Sequence, residues 1–185
     1  KSEFWQSSNK LAKDNLMDTN LAWMHELIRY SEFKRKSLKR EYFRKIGADV
    51  ELYKGVKTWF KRMNEYAEKK GIELEHYIIS SGLKEIIEGS EIAQYFKRIY
   101  ASTYLYSADG VAKWPAQAIN YTNKTQFIFR IAKGFLEEYD ERTYKIFYQQ
   151  KVARLVIWPI GIVEEAIKED EKLLFYLHYQ FSNFH

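Results

Sequence analysis

Cysteine is absent from the 185 residues, which excludes disulfide bonds, thiolate metal sites and cysteine nucleophiles. Proline and glycine are scarce, with 2 and 8 residues, so long disordered linkers are not expected. No apolar run reaches the roughly 20 residues that a membrane-spanning helix requires, and no secretory signal pattern opens the sequence. We therefore expect a cytoplasmic chain with no membrane partner.

Aromatic residues, by contrast, are abundant: 15 Tyr, 12 Phe and 5 Trp make up 17% of the chain. With a hydrophobic share of 46%, they predict one globular domain that has a sizeable core and can carry a small appended lobe. The net charge of +5 could suit a nucleic-acid partner, but only residues 34–45 form a dense basic run. Because such a run is usually a solvated helix face, the charge pattern disfavours nucleic acid.

Residues 3–47 carry helical signals and no strand signal. Asp18 or Thr19 is a suitable N-cap for the helix that follows, and Gly47 is expected to close a later helix. The apolar stripes comprise Phe4, Trp5 and Leu11 in the first helix and Leu21, Met24, Leu27 and Ile28 in the second. The pattern predicts a helical lobe over residues 1–48 and a different kind of structure over residues 49–185.

The second segment alternates helix and strand signals. An amphipathic helix begins at Val56 and ends in Lys69-Lys70-Gly71, basic residues followed by a terminal glycine. The short apolar run His76–Ile79 is typical of a buried parallel strand. Ser80-Ser81-Gly82 is expected to form a turn, after which a new helix begins at Leu83. This order predicts a doubly wound, Rossmann-like α/β sheet.

A β-hairpin is predicted next, with strands over residues 99–106 and 111–114. Asp109-Gly110 lies between them and is a strong turn signal. A helix is expected over residues 123–133, because Phe127, Ile128 and Ile131 form an apolar face and Gly134 follows. Residues 141–185 have a mixed pattern, in which the aromatic tail 175–181 suits core packing better than the docking of a partner.

Ser80-Ser81-Gly82 is the first candidate site. Open α/β sheets bind ligands at the carboxyl ends of their strands, and a helix N-terminus there offers unpaired N–H groups to an anion. Two hydroxyl groups and a glycine would add donors and space for close approach. The alternative is an ordinary turn, because serine commonly caps helices.

Lys124 is the second candidate, because it lies in the first turn of the predicted helix 123–133. A cation there faces the positive end of the helix dipole, which costs about 0.3–1 kcal/mol when exposed. A bound anion would remove this conflict. The alternative is a flexible lysine that bends into water.

Taken together, these segments resemble haloacid dehalogenase-like hydrolases, in particular a bacterial phosphatase-like branch with a helical cap. The resemblance covers about residues 3–137 and is carried by HYIISSGLKEIIEGSEIAQYFKRIYAS, DGVAKWPAQAINYT and NKTQFIFRIAKG. It implies that Ser80, with Ser81 as the fallback, hydrogen-bonds a substrate phosphate. It implies that Lys124 stabilises the charge on the nucleophile and the phosphate, and that residues 3–47 belong to the cap inserted between the first two family motifs.

The sequence also departs from this family. The Asp-x-Asp nucleophile motif, which precedes the cap in the family, is absent, and so is the Gly-Asp-x-x-x-Asp motif that binds Mg²⁺. The nearest match to the second motif is the apolar run Leu155–Glu165, in which Glu164 and Glu165 could replace the aspartates. Trp158-Pro159 is unusual for a central strand. Mg²⁺ is thus implied as a cofactor by the resemblance, but its ligands are not found.

Two functional hypotheses remain open. In the family, an aspartate carboxylate attacks phosphorus and water hydrolyses the resulting aspartyl-phosphate, with Mg²⁺ and lysine neutralising the oxygens. The first hypothesis is a phosphohydrolase whose complete gene supplies Asp-x-Asp upstream of Lys1, with Lys124 and Ser80 in catalytic roles. The second is a truncated or degenerate module that binds a phosphorylated ligand or protein partner without hydrolysing it.

Overall fold

The computed structural model describes residues 2–137 and the backbone of residues 153–157. Its helices are α1 Ser2–Asp14, α2 Thr19–Phe33, α3 Arg40–Ala48, α4 Val56–Lys69, α5 Lys84–Gly89 and α6 Lys124–Lys133, with a 3₁₀ turn at Ala93–Tyr95. Its strands are β1 Leu74–Leu83, β2 Arg98–Tyr106, β3 Ala112–Gln117 and β4 Ala153–Ile157. The fold is therefore mixed α/β. Among the described residues, no helix has the length and apolarity needed to cross a membrane.

The strands form one sheet in the order β3-β2-β1-β4. β1 and β4 are parallel, with Leu74 opposite Ala153 and Ile78 opposite Ile157. β2 and β3 are antiparallel and form the predicted hairpin around Asp109-Gly110. The finer prediction, an incomplete haloacid dehalogenase-like sheet with a helical cap and a hairpin insertion, stays a prediction.

The contacts divide the chain into two compact units, one of residues 1–50, 80–93 and 99–125 and the other of residues 51–79, 94–98 and 126–185. β1, β2 and α6 contribute residues to both units. The predicted division into a helical cap lobe over residues 1–48 and a core over residues 49–185 also stays a prediction, and the contacts group the chain differently.

The core of the first unit joins helices to strands. Its central side chains are Met24, Phe43, Leu83, Tyr104 and Ala112. The hydroxyl of Tyr104 donates a hydrogen bond of 3.0 Å to the carbonyl of Met24 and so attaches β2 to α2. The predicted N-cap is also confirmed, because Asp18 accepts hydrogen bonds from the N–H groups of Asn20 and Leu21. Trp5, predicted in the apolar stripe of α1, is 48% exposed instead.

α3 and α5 pack with their backbones in close approach, which requires two glycines. A Cβ atom built on Gly89 would lie 2.0 Å from the carbonyl oxygen of Arg44, and one on Gly47 would lie 2.0 Å from that of Ile86. Both distances are far below van der Waals contact. Gly47 was expected to close its helix, but it lies inside α3, which ends at Ala48. Its role is the contact with α5.

In the second unit, His76 on β1 packs against α4. Its ring contacts the rings of Trp59 and Phe60, and Phe60 stacks on Tyr95 with 4.4 Å between ring centroids. His76 Nε2 lies 2.7 Å from Asn64 Oδ1, and the buried Nδ1 has no hydrogen-bond partner among the described residues. His76 is therefore a core residue, as its place on a buried strand suggests.

This environment gives a pH-dependent stability. Burial lowers the pKa of His76 below its ordinary value of 6.5, because the charged imidazolium loses its hydration. The unfolded chain therefore binds more protons than the folded chain just below pH 6.5, so stability present above that value is lost as the pH falls. We expect the urea midpoint to drop between about pH 7.5 and about pH 5.5, and to drop less in His76→Gln. Equal drops in both chains would contradict this assignment.

Candidate functional site

The segment Ser80-Ser81-Gly82 lies inside β1 and not in a turn. The helix predicted to follow is present as α5, which begins at Lys84, one residue later than expected. The strand continues to Leu83, so the predicted turn is wrong. The hydrogen bonds explain why: Gly82 N–H donates to Ser80 Oγ at 3.0 Å, and the carbonyl of Ser81 accepts from Ser102 Oγ at 3.1 Å. These contacts give the Gly82 N–H and the Ser81 carbonyl partners while the segment stays extended. α5 has six residues and begins after the candidate residues, so its N-terminus is no part of the site.

Ser80 is almost fully buried, with 2% of its surface exposed. Its hydroxyl accepts the hydrogen bond from Gly82, and among the described residues it is not found to donate one. The side chain therefore keeps a donor for an incoming anion. Ser81 and Gly82 are partly buried on the same strand.

Lys124 is the first residue of α6, as predicted, and its side chain is buried rather than extended into water, with 9% exposed. Burial lowers the pKa of its ammonium group from the ordinary value of 10.5, because the charge is partly removed from water. The helix dipole acts in the same direction at this end of α6. The alternative of a freely solvated lysine does not hold, because the side chain is buried.

A buried serine links the strand to the loop that leads to Lys124. Ser102 on β2 is fully buried, and its hydroxyl donates to the carbonyl of Ser81 while it accepts from Ile119 N–H at 2.9 Å. The Oγ atom of Ser102 therefore contacts both the backbone next to Ser80 and the loop of residues 118–123, which connects β3 to Lys124 at the start of α6. The convergence of the Ser80 and Lys124 side chains on one anion stays a prediction.

Sequence reasoning missed Ser102 and the asparagines of the loop. The side chains of Asn120 and Asn123 hydrogen-bond the backbone between Ala118 and Asn123. The signal was present in the sequence, because asparagine side chains often bond to backbone two or three residues away and stabilise turns. The role of Ser102 had no local signal, because its partners lie 21 and 17 residues away.

No metal centre is evident in the part of the chain that the structure describes. There, no group of three or more His, Asp or Glu residues is arranged to hold a metal ion. The Mg²⁺ that the resemblance implies stays a prediction. Leu155, Val156 and Ile157 belong to β4, whereas Glu164 and Glu165, the possible replacements for the acidic motif, lie outside the described residues, as does the tail 175–181.

A surface cavity of about 440 Å³ lies in the second unit and contains none of the candidate site residues. It is lined by Asn64, Glu68, Gly71, Ile72, Glu73 and Leu74. Its two glutamates make it unsuited to an anion. We therefore place the candidate site at Ser80 and Lys124 on the chemistry of these residues rather than on cavity size.

Comparisons with known proteins leave the family open. No family model matches the chain, and no solved structure matches it. The chain is similar to an uncharacterized protein of Borreliella burgdorferi, with 25% identity over 149 residues, covering 71% of this chain and 52% of the relative. It spans about half the length of this curated relative. The haloacid dehalogenase-like assignment therefore stays a prediction.

Proposed function

We propose that this chain binds the phosphate group of a small phosphate ester through Ser80 and Lys124. In a complete haloacid dehalogenase-like hydrolase these residues would support hydrolysis; in this chain they bind the anion. The observation that carries the proposal is the burial of Lys124 at the start of α6, where desolvation and the helix dipole both disfavour its charge. A phosphate would compensate both effects at once. The alternative is a truncated or degenerate module, in which the same residues bind a phosphorylated ligand or protein partner and no full-length form of the protein hydrolyses it.

Two structural features support an anion rather than an apolar ligand, and the resemblance implies that this anion is phosphate. The hydroxyl of Ser80 keeps a hydrogen that an anion can accept. Ser102 holds the strand beside Ser80 and the loop before Lys124 in a fixed relation. The resemblance assigns a serine and a lysine in this order to the phosphate group, and phosphate oxygens can accept from both at once.

The test is a titration with inorganic phosphate followed by calorimetry or by the thermal midpoint. Lys124→Met keeps the length and the apolar stem of the side chain but removes the charge, and we expect it to weaken binding at least about tenfold, because a charge-assisted hydrogen bond is lost. Ser80→Ala should weaken binding less, by about threefold to tenfold, since it removes a neutral donor. If the affinity were unchanged in both variants, the chain would resemble haloacid dehalogenase-like hydrolases in fold only.

A second titration, with sulfate, distinguishes the effect of Lys124 protonation on affinity from the effect of protonating the ligand. Sulfate keeps the same charge over the neutral and alkaline range, so its affinity should fall only as Lys124 loses its proton. Because burial lowers the pKa of Lys124, this loss is expected at a pH below 10.5. Lys84→Met is the matched control, because Lys84 lies close in sequence to Ser80 but does not belong to the proposed site. A wild-type affinity that is constant up to pH 10.5 would contradict the role of Lys124.

A further inference from the structure

The loop that leads to Lys124 is held in place by the start of α2. Asp18 caps α2 with Oδ1, which accepts from Asn20 N–H at 2.9 Å and from Leu21 N–H at 3.0 Å. The other oxygen of the same carboxylate accepts from Asn120 Nδ2 at 2.5 Å. One side chain therefore fixes both a helix and the loop, across 102 positions of sequence.

A second contact runs beside the first. Asn20 Nδ2 donates to the carbonyl of Ile119 at 2.8 Å, and Asn20 Oδ1 accepts from the indole N–H of Trp23 at 3.0 Å. The amide of Asn20 thus has partners at both ends, which fixes its orientation. The two contacts hold adjacent residues of the loop, Ile119 and Asn120.

Asn120 transmits this restraint towards Lys124. Its Oδ1 accepts from Thr122 N–H at 2.9 Å and from Asn123 N–H at 3.0 Å, while its own backbone N–H donates to Asn123 Oδ1 at 2.9 Å. Both ends of the Asn120 amide are used, so its side chain cannot rotate without breaking bonds on one side. Asn123 directly precedes Lys124.

From these contacts we infer that Asp18 and Asn120 are positioning residues for Lys124. They hold the loop that precedes Lys124 in one conformation, so that little conformational entropy is lost when the anion binds. This inference rests on the proposed function, because it assigns to Lys124 the contact with phosphate. It goes beyond that function by making the start of α2 part of the anion site.

The test variant is Asp18→Asn. Asparagine caps a helix about as well as aspartate, so α2 should keep its cap, but the new amide presents its NH₂ group to the NH₂ group of Asn120 or turns its oxygen away from α2. The substitution also removes a negative charge, which alone would strengthen phosphate binding. We expect the affinity for inorganic phosphate to fall about threefold to tenfold nevertheless, because the loop loses its anchor.

A double-substitution cycle distinguishes positioning from general destabilisation. On a Lys124→Met background, Asp18→Asn should cause no further loss of phosphate affinity, because the residue that it positions no longer contacts the anion. Phe60→Leu is the control: it shortens a buried side chain of α4, in the other unit, and should lower the thermal midpoint without changing the affinity. All titrations are made well below the lowest midpoint.

The outcomes separate the two proposals. If Lys124→Met weakens phosphate binding and Asp18→Asn does not, the positioning role is wrong and the proposed function stands. An equal effect of Asp18→Asn with and without Lys124 would show that it does not act through this residue, and would also overturn the inference. If the wild type binds no phosphate, both proposals fall together.

Discussion

Gly89→Ala is expected to destabilise the protein by more than about 3 kcal/mol, above the usual range for an overpacked core. The new Cβ atom would lie 2.0 Å from the carbonyl oxygen of Arg44 and 2.7 Å from its carbonyl carbon. These are backbone atoms of α3, which cannot rotate away as a flexible side chain could. The two helices would have to separate, and the thermal midpoint should fall by about 10 °C.

Gly71→Ala is the matched control for this prediction. Gly71 has a φ of +66° with no heavy atom within 4 Å of its would-be Cβ atom, so the substitution tests the cost of a left-handed conformation alone. That cost is about 1–2 kcal/mol. Gly47→Ala should resemble Gly89→Ala, and the double variant should cost less than the sum, because the helices need to separate only once. Equal unfolding midpoints for Gly89→Ala and Gly71→Ala would contradict the close approach of α3 and α5.

The helices were the most predictable part of this fold, because their signals are local. The bounds of α4, Val56–Lys69, agree with the apolar stripe of Phe60 and Ala67, and the terminal Gly71 has the positive φ that such a helix end requires. The hairpin was predictable for the same reason, since Asp109-Gly110 specifies the turn. Each of these features is fixed by residues within a few positions of one another.

The continuation of β1 through Ser80-Ser81-Gly82 was not predictable from local signals. Two serines and a glycine are common in turns, and only the hydroxyl of Ser102, from a neighbouring strand, supplies the partner for the Ser81 carbonyl. The contact between α3 and α5 is similar, because a glycine inside a helix does not reveal which backbone approaches it. Both the continuation of β1 and the contact between α3 and α5 thus depend on residues that are distant in sequence.

The candidate site divides in the same way. The sequence alone shows a lysine in the first turn of a helix, where its positive charge is unfavourable. Its burial makes the charge more unfavourable still. Asp18 was predicted only as a helix cap, whereas its second oxygen contacts Asn120. A capping aspartate has a second carboxylate oxygen, but the partner of that oxygen depends on the tertiary fold.

The chain of 185 residues is expected to show no hydrolysis of an aryl phosphate above the uncatalysed rate, with or without Mg²⁺. The family mechanism begins with attack by an aspartate carboxylate on phosphorus, and the sequence contains no Asp-x-Asp motif to supply it. Ser80 and Lys124 would stabilise the bound phosphate, but an interaction that is equal in the ground state and the transition state does not accelerate a reaction. We therefore expect this protein to bind phosphate without hydrolysing the aryl phosphate.

The measurement compares the release of the aryl alcohol by the wild type, by Lys124→Met and by buffer, using protein already shown to bind inorganic phosphate. We expect the three rates to agree within error, while the two proteins differ about tenfold in phosphate affinity. Mg²⁺-dependent turnover by the wild type that Lys124→Met abolishes would refute this prediction, because it would require a nucleophile within these residues. The dependence of that turnover on Mg²⁺ would then be tested first at Glu164 and Glu165, the possible replacements for the metal-binding aspartates.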